Sequence, residues 1–163
     1  TMFDQLHALH GYGAWERELL ASAAILHDIG VSINYYDHHK HSLYLILNAG
    51  LNGFNHRELV LIGLLTRFHR KGNVIDEGLG ALLQSDDLDR VAKLAALLRI
   101  AEYLERAKSQ VIQTVSCRIE KQRVIIEATS VGDATVEIWD ANRRTSLFRK
   151  AYGMEIEIVE LGS

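Results

Sequence analysis

The chain has 163 residues, of which 48% are hydrophobic and 24% charged, and its formal net charge at pH 7 is −3. This length accommodates one domain of ordinary size, or one domain and a small annex, with a substantial apolar core. The slight negative charge argues against a general nucleic-acid-binding protein and against a polybasic contact with a membrane.

The cysteine count and the distribution of apolar residues indicate the cellular compartment of the protein. Cys117 is the only cysteine, which excludes an internal disulfide and is typical of a reducing compartment. The sequence has no signal peptide and no apolar run of about 18 residues, so we expect neither export nor a membrane span. These features predict a cytoplasmic protein. Because residues 2–6 already have the pattern of a helix interior, we also expect a fragment of a longer protein.

Apolar residues recur every three or four positions through the first two thirds of the chain, which predicts five helices. Glycine, asparagine and aspartate mark their ends. The predicted helices cover residues 2–10, 14–29, 38–48, 56–69 and 88–108. Asp37 and Asp87 are candidate N-caps for the third and fifth helices, and Asn55 with Glu58 forms a capping box for the fourth.

From about residue 110 apolar and polar residues alternate, which predicts strands. We expect strands near residues 111–119, 124–128 and 134–138, a helix over 140–152 and a last strand over 154–160. The sequence therefore predicts a mainly α protein. A helical domain over residues 1–109 is followed by a small α+β domain, of order βββαβ, over residues 110–163.

Histidines and acidic residues gather at the ends of the predicted helices. His27 and Asp28 follow the second helix, His38 begins the third, His69 ends the fourth, and Glu102 lies beside the apolar stripe of the fifth. If folding brings these residues together, their nitrogen and oxygen atoms suit a divalent metal. Such a metal would support hydrolysis of phosphate esters by activating water.

These residues also have structural interpretations. A single histidine on an apolar face, such as His27, is most often a packed core residue. Glu102 stands three residues after one arginine and four before another, so a surface ion-pair ladder explains it without a metal. We expect His39 and His56 in solvent.

Basic residues flank the same histidines and predict a phosphate-binding track, because arginine forms bidentate bonds to phosphate and lysine supplies a point charge. The candidate phosphate-binding residues are Lys40, His41, Arg67, His69, Arg70 and Lys71. The alternative is a solvated helix end whose cations favour the helix dipole. The sequence has no GxxxxGK[ST], GxSxG or CxxC motif, so it does not support those chemistries.

Two strings in the first half of the chain resemble known families. AAILHDIG resembles the histidine–aspartate doublet of the HD-domain superfamily. The longer stretch, with HDIG, HHKHS, the NGF turn at 52–54 and RFHRKG at 67–72, is similar to the C-terminal HD-like region of the Ppx/GppA family. That family contains exopolyphosphatases and guanosine pentaphosphate phosphatases. The resemblance covers about residues 3–107, and the β-rich annex resembles the small domain that follows in the family.

The resemblance implies an HD-like helical domain and an accessory role. In the family, catalysis belongs to an N-terminal pair of actin-like domains, whose glycine loops and catalytic glutamate have no counterpart in this sequence. The resemblance therefore implies no catalytic residue here. It implies that the chain guides or binds polyphosphate, or guanosine pentaphosphate, for a parent enzyme and supports a homodimer.

The alternative is a metal-dependent phosphohydrolase of the HD type that acts on nucleotides or phosphate esters. Its candidate metal ligands are His27, Asp28, His38, His69 and Glu102. Glu102 aligns with the final aspartate of such sites.

Overall fold

The computed structural model of the protein describes residues 1–106, 108 and 110–161. These residues form helices α1 to α8, two short 3-10 turns and strands β1 to β3. The helices are α1 (Met2–Gln5), α2 (His7–His10), α3 (Ala14–Leu26), α4 (His38–Asn48), α5 (His56–Phe68), α6 (Asp87–Leu104), α7 (Thr135–Asn142) and α8 (Ser146–Tyr152). The 3-10 turns are Ile29–Ser32 and Gly80–Leu82, and the strands are β1 (Ile112–Glu120), β2 (Arg123–Ser130) and β3 (Glu155–Glu160).

The chain divides into two compact units. The helical unit takes residues 12–98, and the sheet unit takes residues 1–11 together with 99–163. The predicted domain boundary at residue 109 lies outside the described residues and stays a prediction. Among the described residues, no helix combines the length and the apolar character needed to cross a membrane.

Helix α5 forms the core of the helical unit. Every residue from Leu59 to Thr66 is buried, and so is Phe68. A helix that is buried around its whole circumference must be enclosed by other elements, and α3 and α4 both pack against it. The predicted capping box fixes where it begins. Asn55 Oδ1 accepts a hydrogen bond from the Glu58 N–H at 3.0 Å, and the Glu58 carboxylate accepts one from the Asn55 N–H at 2.8 Å.

A buried carboxylate joins the N-terminus of α6 to α5. The side chain of Asp87 has no exposed surface and accepts two hydrogen bonds from Arg57, at 2.8 and 2.7 Å. Burial acts to raise the pKa of Asp87, but the hydrogen bonds from Arg57 and from the Gln84 N–H hold that pKa below its usual value. Asp87 is the first residue of α6, and its charge is stabilised by a partner on a second helix. Its predicted role as an N-cap stays a prediction.

The sheet unit contains a three-stranded sheet of order β1–β2–β3. Strand β1 runs antiparallel to β2 across a turn at Lys121 and Gln122, and β2 runs parallel to β3. A parallel pair requires a crossover connection, which α7 and α8 supply. The core of this sheet is formed by buried side chains of β2 and β3: Val124, Ile125, Ile126, Ala128, Ile156 and Ile158.

A side-chain amide pairs with the backbone on each outer strand of the sheet. Gln5 Nε2 donates to the Val115 carbonyl at 3.0 Å, and the Cys117 N–H donates to Gln5 Oε1 at 2.6 Å. On β3, Asn142 Nδ2 donates to the Ile158 carbonyl at 2.7 Å, and the Ile158 N–H donates to Asn142 Oδ1 at 3.0 Å. Each amide reproduces the pairing of a neighbouring strand and limits addition of another chain at that point.

The mainly α class with a small α+β part is confirmed, but the order βββαβ is wrong. Residues 134–138, predicted as the third strand, lie in and just before α7, and the helix predicted over 140–152 is divided between α7 and α8. The observed order is ββααβ. Ala134, Glu137 and Ala141 are buried at spacings of three and four, a helical period that an alternation over five residues concealed.

The predicted helix boundaries agree with the structure less closely than the predicted presence of the helices does. The prediction for α4 is confirmed at both ends, whereas the helix predicted over 14–29 ends at Leu26. Leu6 separates α1 from α2 within the helix predicted over 2–10. Helix α6 ends at Leu104 instead of continuing to 108, and residue 107 of that prediction lies outside the described residues.

Candidate functional site

Three element ends of the helical unit carry the candidate ligands. His27 and Asp28 follow the last turn of α3, His38 is the first residue of α4, and His69 follows the last residue of α5. The turn Ile29–Ser32 connects α3 to the loop before α4 and packs against α4. The site therefore depends on how closely this turn approaches α4.

Gly30 makes that approach possible. A Cβ atom at Gly30 would lie 2.1 Å from the His38 carbonyl oxygen and 2.4 Å from the Ser42 nitrogen. The Gly30 N–H donates to Ser42 Oγ at 3.0 Å, and Ser42 Oγ donates to the His27 carbonyl at 2.7 Å. The sequence indicated Gly30, the glycine of HDIG, only as the end of the second predicted helix, and it did not indicate Ser42.

One type of hydrogen bond orients the rings of His27, His38 and His69. Nδ1 of each ring contacts the backbone carbonyl three residues earlier: His27 at 2.7 Å, His38 at 3.0 Å and His69 at 2.6 Å. A carbonyl oxygen can only accept, so Nδ1 of each ring carries the proton. In a neutral imidazole, Nε2 then has the free lone pair. Metal-binding histidines in proteins are oriented by this kind of bond.

The Nε2 atoms and one carboxylate lie close together. Asp28 Oδ1 is 3.3 Å from His38 Nε2, and Asp28 Oδ2 is 3.7 Å from His27 Nε2. The rings of His27 and His38 lie 5.0 and 5.4 Å from the ring of His69, between centroids. Asp28, His38 and His69 each offer a ligand atom, and these atoms lie within 4.8 Å of one another. We call His27, Asp28, His38 and His69 the histidine cluster, in which Asp28, His38 and His69 could hold a divalent metal.

The members of the histidine cluster differ in their burial. His38 and His69 are buried, whereas His27 and Asp28 are partly exposed, so the cluster is accessible from one side. His56 is exposed, as expected, but the expectation that His39 lies in solvent is wrong, because only 2% of its surface is exposed. Glu102 lies on α6 within the sheet unit, and its role as a ligand stays a prediction.

Two of the predicted phosphate-binding cations meet at one carboxylate. Lys40 Nζ lies 2.9 Å from Asp37 Oδ2, and Lys71 Nζ lies 3.5 Å from Asp37 Oδ1. The side chains of all three residues are exposed, between 45% and 62%. The hydrogen bond from Lys40 lowers the pKa of Asp37 to about 2. We call Asp37, Lys40 and Lys71 the Asp37 clamp.

Asp37 does not act as the predicted helix cap. It occupies the N-cap position of α4, but its φ is 56° and its side chain makes no capping hydrogen bond. Its spacing of three from Lys40 is a signal of an ion pair on a helix, and that signal could have identified the pair. The contact with Lys71 depends on the tertiary structure.

The other candidate phosphate-binding residues have different surroundings. Arg67 is mostly buried and lies 2.9 Å from Glu77, and the guanidinium of Arg70 lies 5.9 Å from the ring of Tyr35. His41 is half-buried on α4, and His69 belongs to the histidine cluster. Folding thus brings the exposed lysines together and gives the arginines separate contacts.

Comparisons with known proteins show which family this chain resembles. The family model described as Ppx/GppA phosphatase, domain III, matches residues 1–139. Over 84 residues the chain is 34% identical to a protein of Pseudoalteromonas translucida (strain TAC 125) named guanosine-5'-triphosphate,3'-diphosphate pyrophosphatase. This match covers 49% of the chain and 17% of the relative, so the chain corresponds to a small part of that protein.

We predict that Gly30→Ala disrupts the junction between the turn and α4. The added methyl group meets backbone atoms that cannot move independently, so the free energy of unfolding should fall by about 2 kcal/mol or more. Urea denaturation monitored by circular dichroism measures this change. Gly13→Ala is the control, because a Cβ at Gly13 meets no atom within 4 Å, and it should cost no more than about 1 kcal/mol. Equal losses in the two variants would contradict the role assigned to Gly30.

Proposed function

The chain belongs to the Ppx/GppA phosphatase family, as a domain III, and we propose that it binds the phosphate chain of the substrate at the Asp37 clamp. It thereby guides polyphosphate, or the phosphates of guanosine pentaphosphate, for a parent phosphatase whose catalytic residues are outside this chain. The relative named as a pyrophosphatase of a guanosine polyphosphate supports a substrate with several linked phosphates.

The convergence of Lys40 and Lys71 carries this proposal. The two residues are far apart in the sequence, yet their ammonium groups contact opposite oxygens of one carboxylate. An arrangement that holds a carboxylate between two exposed lysines can also hold a phosphate group, since phosphate is a stronger acceptor with more charge. The net charge of −3 makes this local positive site a specific feature instead of a property of the whole surface.

We predict that Lys40→Ala combined with Lys71→Ala weakens polyphosphate binding. Loss of two charge-assisted hydrogen bonds should reduce the affinity at least about tenfold, and the residual affinity should depend less steeply on salt. Isothermal titration calorimetry with polyphosphate of defined length measures both. The control is Lys93→Ala with Lys150→Ala, which removes the same charge elsewhere. If both double variants lose the same affinity, or neither loses any, the proposed site is wrong.

A divalent metal in the histidine cluster is the second part of the proposal. It is supported by the shared orientation of the three rings, whose Nδ1 atoms all contact backbone carbonyls. A bound metal would supply a Lewis acid for phosphate oxygens. A metal there would also support the alternative function, a metal-dependent phosphohydrolase acting on nucleotides or phosphate esters, with His27, Asp28, His38 and His69 as ligands. Glu102 remains a proposed additional ligand.

We predict that His38→Gln weakens metal binding about tenfold or more, because one nitrogen ligand is lost. Titration with Co²⁺ is the measurement, since the visible absorption of Co²⁺ reports ligand type and geometry, and calorimetry with Zn²⁺ gives the affinity. The control is His56→Gln, which alters an exposed histidine and should leave binding unchanged. Absence of metal binding by the unaltered protein would eliminate both the metal site and the alternative function.

The proposal includes a cytoplasmic homodimer. Exposed apolar side chains flank the turn Ile29–Ser32 in the sequence, among them Ile25, Ile33, Tyr35 and Tyr36, with exposures from 50% to 82%. Neighbouring exposed apolar residues mark a surface suited to another protein, and a second copy of the chain is the partner we propose.

We predict that Ile25→Asp with Tyr36→Asp prevents dimer formation, because two charges would be buried in an apolar contact. Light scattering after size exclusion gives the mass. The unaltered protein should have the mass of a dimer and the variant that of a monomer. Val131→Asp with Val136→Asp, at exposed positions of the sheet unit, is the control and should remain dimeric. A monomer without any substitution would contradict the proposal.

A further inference from the structure

We propose that Asp37 is an internal competitor for the phosphate position between Lys40 and Lys71, and that it makes the clamp select phosphate chains over single phosphate ions. This inference rests on the proposed phosphate binding at the same clamp. It assigns to Asp37 a role in specificity that the family membership does not supply.

The geometry shows that the carboxylate occupies the position between the cations. Asp37 Oδ2 is 2.9 Å from Lys40 Nζ, and Oδ1 is 3.5 Å from Lys71 Nζ. An anion that contacts both lysines from this side must displace the carboxylate. The three exposed side chains leave room for that exchange, since only side-chain rotations are required.

The backbone explains why this carboxylate faces the lysines. At φ 56°, Asp37 has a left-handed conformation that aspartate and asparagine tolerate better than most residues. The usual capping bond to α4 is absent from its side chain, so both carboxylate oxygens are available to the cations. A residue that served only to begin the helix would use its oxygen for the backbone N–H groups.

A buried polar atom lies next to the carboxylate. His39 Nε2 is fully buried without a hydrogen-bond partner and lies 3.9 Å from Asp37 Oδ1, the oxygen that also faces Lys71. That distance is too long for a hydrogen bond. A phosphate group between the lysines presents more acceptor oxygens than the carboxylate, and one of them can accept from this ring when Nε2 carries the proton.

Competition by the Asp37 carboxylate distinguishes ligands by the number of phosphate groups that they carry. A carboxylate on the same chain is present at an effective concentration on the order of millimolar or higher. A single phosphate ion must displace it with the contacts of one group. A phosphate chain can also bind through its other phosphates while the carboxylate stays between the lysines, so the competition lowers its affinity less. The clamp therefore favours chains over orthophosphate.

Asp37→Asn tests the inference, because asparagine has nearly the same shape, tolerates the same φ and carries no charge. The affinities of the full chain for orthophosphate, tripolyphosphate and a long polyphosphate are measured by calorimetry. We expect orthophosphate to bind at least fivefold more tightly than to the unaltered protein, with a smaller gain for tripolyphosphate and the smallest gain for the long chain.

Asp89→Asn is the matched control. Asp89 forms an exposed ion pair with Lys93 at 2.8 Å in the same unit, so its substitution removes the same charge without altering the clamp. We expect less than a twofold change. If Asp89→Asn gives the same gain as Asp37→Asn, the effect is one of overall charge and the inference is overturned.

The remaining outcomes separate this inference from the proposed function. If Asp37→Asn weakens binding while the lysine variants also weaken it, the phosphate site stands, but Asp37 positions the lysines and does not compete. In a Lys40→Ala, Lys71→Ala background the gain from Asp37→Asn should disappear. If the gain persists there, Asp37 acts away from the clamp and the inference fails. Unchanged affinity for all three probes also overturns it.

Discussion

The contact of the turn at Gly30 with the first turn of α4 is the constraint on which the candidate site depends. No side chain fits there, because a Cβ would lie 2.1 Å from the His38 carbonyl oxygen. Ser42 joins the two segments by accepting from the Gly30 N–H and donating to the His27 carbonyl. As a result, Asp28 Oδ1 lies 3.3 Å from His38 Nε2. The histidine cluster therefore depends on the close backbone packing at Gly30 as well as on the identity of its side chains.

Two polar sites with different physical character meet at the start of α4. His38 is buried and belongs to a cluster of ring nitrogens and a carboxylate, whereas the neighbouring Asp37 is exposed between two lysines. His39 follows His38 and is also buried. This burial, together with the charges of Arg67 and Lys71, lowers the pKa of His39 to about 4. It is thus neutral at pH 7, and the charge at this helix terminus is confined to the exposed residues.

Two errors of the sequence interpretation come from local patterns that carry too little information. The alternation over 134–138 predicted a strand, but five residues contain too few periods to distinguish strand from helix. The structure buries Ala134, Glu137 and Ala141 at helical spacing. His39 was expected in solvent because nothing in its neighbourhood of polar residues indicates burial.

The sequence by itself determined the helices of the helical unit, the capping box of α5, the change to strands after residue 110 and membership in the phosphatase family, since each follows from local periodicity or from a contiguous string. It also identified the histidines and lysines as candidates. Only the tertiary structure decided which of them meet. Lys40 and Lys71 share Asp37, and His38 faces Asp28, while Arg67 is paired with Glu77. Pairing across a fold depends on the packing of whole helices, which no local pattern encodes.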